Sequence, residues 1–288
     1  MALILSNQNL APSVFRMEVA APEVARYRRA GQFVIVRPVE RGERIPLTIA
    51  DANLDRGTIT LIYQVVGKTT AVMSLMEPGS ELADVAGPLG KPTHIERFGR
   101  VVCVGGGIGI APLFPIAQAM KQAGNEVVSI LGARRKELLI LESEMRSTSD
   151  RVLVVTDDGS YGTKGFVTDA LRGVLDAGER ADLVVAIGPP IMMKRVSMLT
   201  KPYGVRTLVS LNTIMVDGTG MCGGCRVTVG GEVRFVCVDG PEFDGHQVDF
   251  DEMMRRLVTY RRFEEDAYRA FRERHRCRLL ERNAEGVS

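Results

Sequence analysis

The chain has 288 residues, of which 45% are apolar and 25% charged, and its formal net charge is +2. This length allows two or three small domains, and the balanced charge gives no field that favours nucleic acid or an anionic membrane as the main partner. No run approaches the ~20 apolar residues of a membrane span, and the first residues lack the pattern of a signal peptide. Five cysteines, three of them clustered, suit a reducing compartment, so we expect a cytoplasmic protein.

Residues 1–97 contain short runs of alternating or β-branched residues that are separated by turn signals. Strands are predicted at 13–19, 31–36, 57–66 and 80–86, with one short helix at 69–76. Strands of this length and spacing are typical of an antiparallel barrel or sandwich, and we expect the barrel.

Two stretches of the predicted barrel have the side chains of a phosphate site. Arg44 and Thr48 flank Pro46, so a guanidinium and a hydroxyl stand beside a rigid position, where they can contact a phosphate and a flavin edge. Residues 67–70 open the predicted short helix, whose N-terminus can hold a phosphate. An exposed ion pair for Arg44 and a solvated turn for Lys68 are the alternatives.

Residues 98–206 alternate between apolar strands and helices. Strands are predicted at 100–104, 126–131, 151–156 and 182–187, with a helix that follows the first strand up to Lys121 and another at 138–146. Apolar strands with helical crossovers are typical of a doubly wound parallel sheet.

Glycine-rich loops follow three of these strands. The run 105–112, Gly-Gly-Gly-Ile-Gly-Ile-Ala-Pro, comes after the first strand and opens a helix, as a dinucleotide-binding turn does. The loops 157–165 and 188–193 fall at the same predicted edge. Arg134 and Arg135 end the second strand where an acid would contact a ribose 2′-hydroxyl, and this favours NADP.

Residues 207–248 contain three cysteines in a glycine-rich segment. Asp217, Cys222, Cys225 and Cys237 give the spacing acid-x4-Cys-x2-Cys followed by a distant cysteine, which is the plant-type [2Fe–2S] spacing with a carboxylate in the first place. A structural zinc site and unligated thiols are the alternatives, since Cys-x2-Cys also opens zinc knuckles.

Residues 249–288 are predicted to form a helical tail that is rich in arginine, glutamate and aromatic residues. Either a solvated helix with ion pairs or a helix that docks a partner subunit would have this composition.

These motifs together resemble those of the ferredoxin–NADP reductase superfamily. The cluster segment resembles the branch with the electron-transfer subunit of dihydroorotate dehydrogenase and the small subunit of NADH-dependent ferredoxin:NADP oxidoreductase; the former uses four cysteines, and the acid at 217 resembles the latter. The resemblance implies FAD near Arg44, Pro46, Leu47, Thr48, Gly67, Lys68, Thr69 and Thr70. It implies a nicotinamide dinucleotide along Gly107, Gly109, Pro112, Asp157, Gly188 and Pro189, with Arg134 as a further candidate.

The expected function is electron transfer from NAD(P)H through FAD and a [2Fe–2S] cluster to a larger flavin or iron–sulfur subunit, with ferredoxin reached through that subunit. FAD exchanges both hydride and single electrons, so no protein general base is expected. An electron-transfer subunit of dihydroorotate dehydrogenase and a zinc-bearing scaffold are the alternatives. The 2′-phosphate argument favours NADP, whereas the resemblance favours NAD.

Overall fold

Seven antiparallel strands form the first sheet of the computed structural model, which describes residues 1–279. The strands are β1 Ala2–Ala11, β2 Val14–Ala20, β3 Phe33–Arg37, β4 Ile45–Asn53, β5 Thr58–Gln64, β6 Glu81–Leu82 and β7 Asp84–Leu89. Their order is β6-β1-β2-β5-β4-β3-β7, so two strands that are neighbours in the chain lie at opposite edges and the sheet curls into a nearly closed barrel. Helices α1 (Pro22–Tyr27) and α2 (Lys68–Ser74) connect its strands.

Every second side chain along a barrel strand points into the core, as β2 shows. Phe15, Met17 and Val19 of β2 are fully buried, and the residues between them lie nearer the surface. This is the two-residue period of a strand that has one face on a core.

The remaining strands form a second sheet and a separate hairpin. They are β8 Arg100–Gly106, β9 Glu126–Ala133, β10 Arg151–Thr156, β11 Thr163–Lys164, β12 Leu183–Ile187, β13 Thr207–Ser210, the hairpin pair β14 Arg226–Val229 and β15 Glu232–Phe235, and β16 Glu242–Asp244. The sheet has the order β11-β10-β9-β8-β12-β13-β16, parallel except for β16. From β8 the chain first adds β9, β10 and β11 on one side and then β12 and β13 on the other. The carboxyl ends of β8 and β12 therefore border a crevice.

Helices cover both faces of this sheet, as the buried strands require. They are α3 Ile110–Gln122 and α4 Glu142–Thr148 on one face and α5 Val167–Asp176 and α6 Pro190–Thr200 on the other. The strand residues alternate between the two cores: Val101 and Cys103 pack towards α3, whereas Val102 and Val104 pack towards α5 and α6.

The C-terminal part adds α7 (Val236–Asp239), α8 (Phe250–Leu257) and α9 (Arg261–Arg274). Helix α8 buries Phe250 and Met253 in the core below the hairpin, whereas α9 buries no residue and packs lightly against α2. The predicted helical tail is confirmed over α8 and α9, and its part after residue 279 lies outside the described residues. No helix within residues 1–279 is both long and apolar enough to cross a membrane.

The predicted fold class is confirmed, but the structure corrects three local predictions. The predicted helix 138–146 begins only at Glu142, because Leu141 is buried with a left-handed φ of 56° and stops a helix from running through it. The predicted strand 80–86 is broken at Ala83 into two strands. The strand β13 begins just after the predicted boundary at 206 and extends the parallel sheet.

Candidate functional site

The cluster loop (residues 217–225) and α7 bring the four predicted metal ligands together as two pairs. Asp217 Oδ1 lies 3.3 Å from Cys222 Sγ, and Cys225 Sγ lies 3.3 Å from Cys237 Sγ, without a disulfide. Within residues 1–279, no group of three Cys, His, Asp or Glu side chains is arranged to hold a single metal ion. The two pairs fit a centre of two metal atoms, each with two protein ligands, as in a [2Fe–2S] cluster.

The Asp217 carboxylate is held on the inner side of the cluster loop by backbone groups. The N–H groups of Met221 and Cys222 donate to Oδ2 at 2.8 and 3.0 Å. Burial raises the pKa of Asp217, but hydrogen bonds from the Cys222 thiol and from backbone N–H groups outweigh burial and hold that pKa well below its usual range. Asp217 is therefore an anion, which is the form that ligates a cation.

Cys225 and Cys237 form the buried pair of the site, each 1% exposed. Burial, together with the neighbouring Cys225 thiol, raises the pKa of Cys237 to about 12. A thiol such as Cys237, whose pKa is raised in this way, becomes a thiolate when a cation compensates its charge, which is the usual behaviour of metal-ligating cysteines. The donor set thus fits the iron–sulfur cluster that the spacing predicts.

The cluster loop rests directly on the barrel. Gly218 has φ 79°, and a Cβ at this position would come within 2.7 Å of side-chain atoms of both Ile35 and Leu89. Only glycine permits this approach, so the loop, strand β3 and strand β7 form one packed unit.

Arg44, predicted to contact a flavin phosphate, bridges the barrel and the cluster loop. Its Nε donates to the carbonyl oxygen of Val216 at 2.9 Å, and its Nη1 pairs with Asp84 Oδ2 at 2.8 Å. The guanidinium thus joins the start of β4 to the residue that precedes Asp217.

The other predicted flavin residues lie beside Arg44. Pro46, Leu47 and Thr48 lie on β4, where they pair with β3. The stretch 67–70 reaches the same place, because the Thr69 hydroxyl donates to Glu43 Oε2 at 2.6 Å. Thr70 caps the start of α2 by bonding back to Gly67, whereas Lys68 is exposed. The structure therefore brings all eight candidates to one end of the barrel.

The turns after β8 and β12 touch each other at the crevice between these strands. A Cβ at Gly109 would overlap the carbonyl group of Ile187 and the Cα of Gly188. Gly107 has φ 56° and open space around its Cβ position, and Pro112 lies in the first turn of α3. The close contact and the open backbone beside it are the features that a dinucleotide pyrophosphate requires.

Arg134 and Asp157 follow the next two strands of the same sheet edge. The Asp157 N–H donates to the carbonyl of Ala133, and the Asp158 N–H donates to that of Arg134, so the two turns are joined. Pro189 precedes α6 on the other side. The dinucleotide edge (the turns after β8, β9, β10 and β12) thus contains every residue predicted for NAD(P)H.

One partly buried carboxyl between the domains carries no clear signal in the sequence. Glu242 lies on β16 and accepts a hydrogen bond from the Thr93 hydroxyl at 2.5 Å, beneath Gly31. Burial raises the pKa of Glu242 to about 7. The only signal in the sequence was an acid between Pro241 and Phe243, in a strand too short for its period to be recognised.

Two domain families match parts of the chain. The oxidoreductase NAD-binding domain matches residues 103–198, and the iron–sulfur cluster binding domain of dihydroorotate dehydrogenase B matches residues 212–249. The second match confirms the prediction of an iron–sulfur rather than a zinc segment. The chain is thus an oxidoreductase subunit that combines a barrel of the ferredoxin–NADP reductase fold with NAD-binding and iron–sulfur domains.

Relatives that match along nearly the whole chain define the family. An electron transfer subunit homolog of dihydroorotate dehydrogenase B (NAD(+)) from Thermotoga maritima is 50% identical over 93% of this chain and 94% of its own. The electron transfer subunit of the same enzyme from Desulforamulus reducens is 34% identical over 86% and 97%. The chain belongs to this family of electron transfer subunits.

A solved structure shares both sequence and fold with the chain. It is a chain of the NADH-dependent reduced ferredoxin–NADP oxidoreductase, studied for flavin-based electron bifurcation. It is 49% identical, covers 94% of this chain and 98% of its own, and has a TM-score of 0.89. The resemblance to the ferredoxin–NADP reductase superfamily and to this branch of it is confirmed.

Proposed function

We propose that the chain passes electrons from a nicotinamide dinucleotide through FAD to a [2Fe–2S] cluster and on to a larger partner subunit, as the small subunit of an NADH-dependent reduced ferredoxin:NADP oxidoreductase. The contact between Arg44 and Val216 carries this proposal, because it joins the flavin motif to the residue before Asp217. This contact would hold the segment proposed for FAD beside the segment proposed for the cluster.

FAD, when bound, accepts a hydride and releases single electrons, which is the conversion that this arrangement needs. The protein contributes position and charge. Open backbone at Gly107 and the N-terminus of α3 would receive the pyrophosphate, and the β4 residues Leu47 and Thr48 would line the flavin. Asp217 and the three cysteines would hold the cluster.

The acid at the first ligand position supports the ferredoxin:NADP branch. A carboxylate is a harder ligand than a thiolate and donates less electron density, so we expect Asp217→Cys to keep the cluster and change its reduction potential. Redox titration followed by electron paramagnetic resonance checks this, with Asp251→Asn, an exposed acid on α8, as the control. An unchanged potential would remove Asp217 from the ligand set.

A second candidate is electron transfer to a dihydroorotate-oxidising subunit. The matched iron–sulfur family and the names of the relatives support it. The test is to isolate the complex through a tag on this chain and assay it anaerobically. NADP⁺ reduction that requires both NADH and reduced ferredoxin supports the first function, whereas dihydroorotate-dependent NAD⁺ reduction supports the second.

The partner would dock where the cluster reaches the surface. Cys222 is exposed, Met221 beside it is 88% exposed, and a groove of about 350 Å³ runs from Cys222 to Tyr260 and the end of α8. An exposed apolar patch of this kind beside an electron carrier suits a protein interface. Met221→Glu should release the partner while NADH oxidation with an artificial acceptor continues, and Met198→Glu, 64% exposed on α6, should keep it.

The cytoplasm is the proposed compartment, because all five cysteines are free thiols in the structure. The anaerobic absorption spectrum gives the first check of the carriers. Flavin bands and an iron–sulfur shoulder that bleach with NADH are expected, and a colourless protein would contradict the proposed electron path.

A further inference from the structure

A cavity of about 710 Å³ lies between the barrel and the α/β domain, outside the proposed FAD, dinucleotide and cluster sites, and Thr93, which donates to Glu242, is part of its wall. It is bordered by the end of α1, the far end of β4, the linker at residues 92–95 and one flank of α3. At about 3.3 Å per residue, its Ala52 lies about 13 Å along β4 from Thr48. None of the residues assigned to FAD, the dinucleotide or the cluster lines it.

The charged side chains that line this cavity, called the basic cavity below, are all cationic. Arg26, Arg28 and Arg29 are among the side chains that line it, and none of the lining side chains is acidic. His94 also lines it, and its Nε2 lies 3.1 Å from Glu96 Oε2. Its size is that of a site for a small organic molecule.

Arg28 is poorly compensated for a buried cation. Its side chain is 17% exposed, and its one ion pair among the described residues is a 3.3 Å contact with Asp51, whose own side chain is 54% exposed. Burial lowers the pKa of Arg28, and Asp51 only partly opposes this. A guanidinium in this position is stabilised by any further anion that enters the cavity.

Arg29 is held in place through its backbone, which leaves its guanidinium available. Its N–H donates to Gln32 Oε1 at 2.9 Å, and Gln32 Nε2 donates to the carbonyl of Gly90 at 2.8 Å. Within residues 1–279 the Arg29 side chain has no ion pair. The fixed backbone lowers the entropy that ligand binding costs, and the guanidinium has no ion pair among the described residues that a ligand would have to break.

The opposite walls complete a site for an organic anion. Gln118 and Gln122 lie one turn apart on α3 and can donate to anion oxygens. Ala25, Leu54 and Ile95 offer apolar surface for a carbon skeleton.

We propose that this cavity binds a small organic anion with two or more negative charges, held by Arg28 and Arg29 and contacted by the amides of α3. Arginine forks match phosphate and carboxylate groups alike, so the shared chemistry is a polyvalent oxyanion. Because the ligand contacts α1 and α3 together, it joins the barrel to the α/β domain.

Isothermal titration of the FAD-loaded full chain tests the site, with NAD⁺ and NADP⁺ present at saturation to fill the dinucleotide edge. Inorganic pyrophosphate and citrate are the probes, and the tighter one distinguishes phosphate from carboxylate ligands. Arg28→Gln and Arg29→Gln should each weaken binding at least about tenfold. Arg180→Gln, an 86% exposed arginine outside the cavity, should leave binding unchanged.

Binding of neither probe, or equal affinity in wild type and Arg29→Gln, would overturn the proposal. The arginines would then serve only the C-terminal end of α1. Arg29→Gln keeps the test decisive if Arg28→Gln does not fold, because the Arg29 side chain has no ion pair to lose.

Discussion

The cluster loop and the dinucleotide edge use different parts of the chain for their proposed ligands. The cluster loop relies on four particular side chains, of which Asp217 and Cys222 lie close in sequence. The dinucleotide edge relies on backbone that four separate strands bring together. A site built from side chains is recognised by residue type and spacing, whereas a site built from backbone is recognised only through the sheet that assembles it.

Removal of one buried thiol should have the largest effect, because it should abolish metal binding at the cluster loop and leave the dinucleotide edge intact. Cys225→Ser is expected to lose most of its iron, because a buried hydroxyl is a poor substitute for a thiolate ligand. Cys277→Ser, at an exposed cysteine of the tail, should keep its iron. Iron and sulfide analysis of anaerobically purified protein measures both, and flavin reduction by NADH should continue in both variants.

A substitution at Gly109 should have the opposite effect: it should disrupt the dinucleotide edge and leave the cluster loop intact. Gly109→Ala places a Cβ against the Ile187 carbonyl and should separate the turns after β8 and β12. A displacement of about 1 Å can lower the rate of hydride transfer about 100-fold. Stopped-flow flavin reduction measures this, with Gly173→Ala in α5, where a Cβ meets nothing, as the control. A normal rate in Gly109→Ala would argue against the proposed pyrophosphate position.

Glu242 tests how strongly the two regions are coupled, because β16 joins the cluster segment to the sheet. Its folded pKa of about 7 lies above the ordinary 4.5, so the fold favours the protonated form and stability falls as pH rises through this window. The free energy of unfolding of Glu242→Gln should therefore exceed that of wild type above pH 7 by on the order of 3 kcal/mol, and the two should match near pH 4. Urea denaturation at several pH values measures this. The exposed Glu40→Gln should follow wild type, and parallel curves for Glu242→Gln would exclude a raised pKa.

The smallest expected effect concerns the choice of coenzyme. Within residues 1–279, the exposed Arg134 side chain makes no ion pair and can meet a 2′-phosphate. Arg134→Ala should weaken the binding of NADPH about tenfold and the binding of NADH by much less. Steady-state KM values for both coenzymes measure this, with Arg180→Ala as the control. Equal losses for the two would show that Arg134 does not read the 2′-position.

The same contrast explains what the sequence could predict. The proposed cluster ligands follow from residue type and spacing, and the long apolar strands follow from their pattern. The strands Thr207–Ser210 and Glu242–Asp244 were assigned to the cluster segment, because three or four residues show no clear period and their pairing is set by distant parts of the chain. The contact of Arg44 with Val216 joins positions 172 residues apart, which no local pattern indicates.

Gly218 packs against Ile35 and Leu89 of the barrel, and strand β16 pairs with β13 at the edge of the second sheet. The iron–sulfur segment packs against both other domains, so it is not an independent module. A chimera that transplants residues 212–249 alone would bring in an edge strand and a loop whose packing partners, β13 and the barrel, are left behind. Exchange between relatives therefore has to carry the barrel surface along with the cluster.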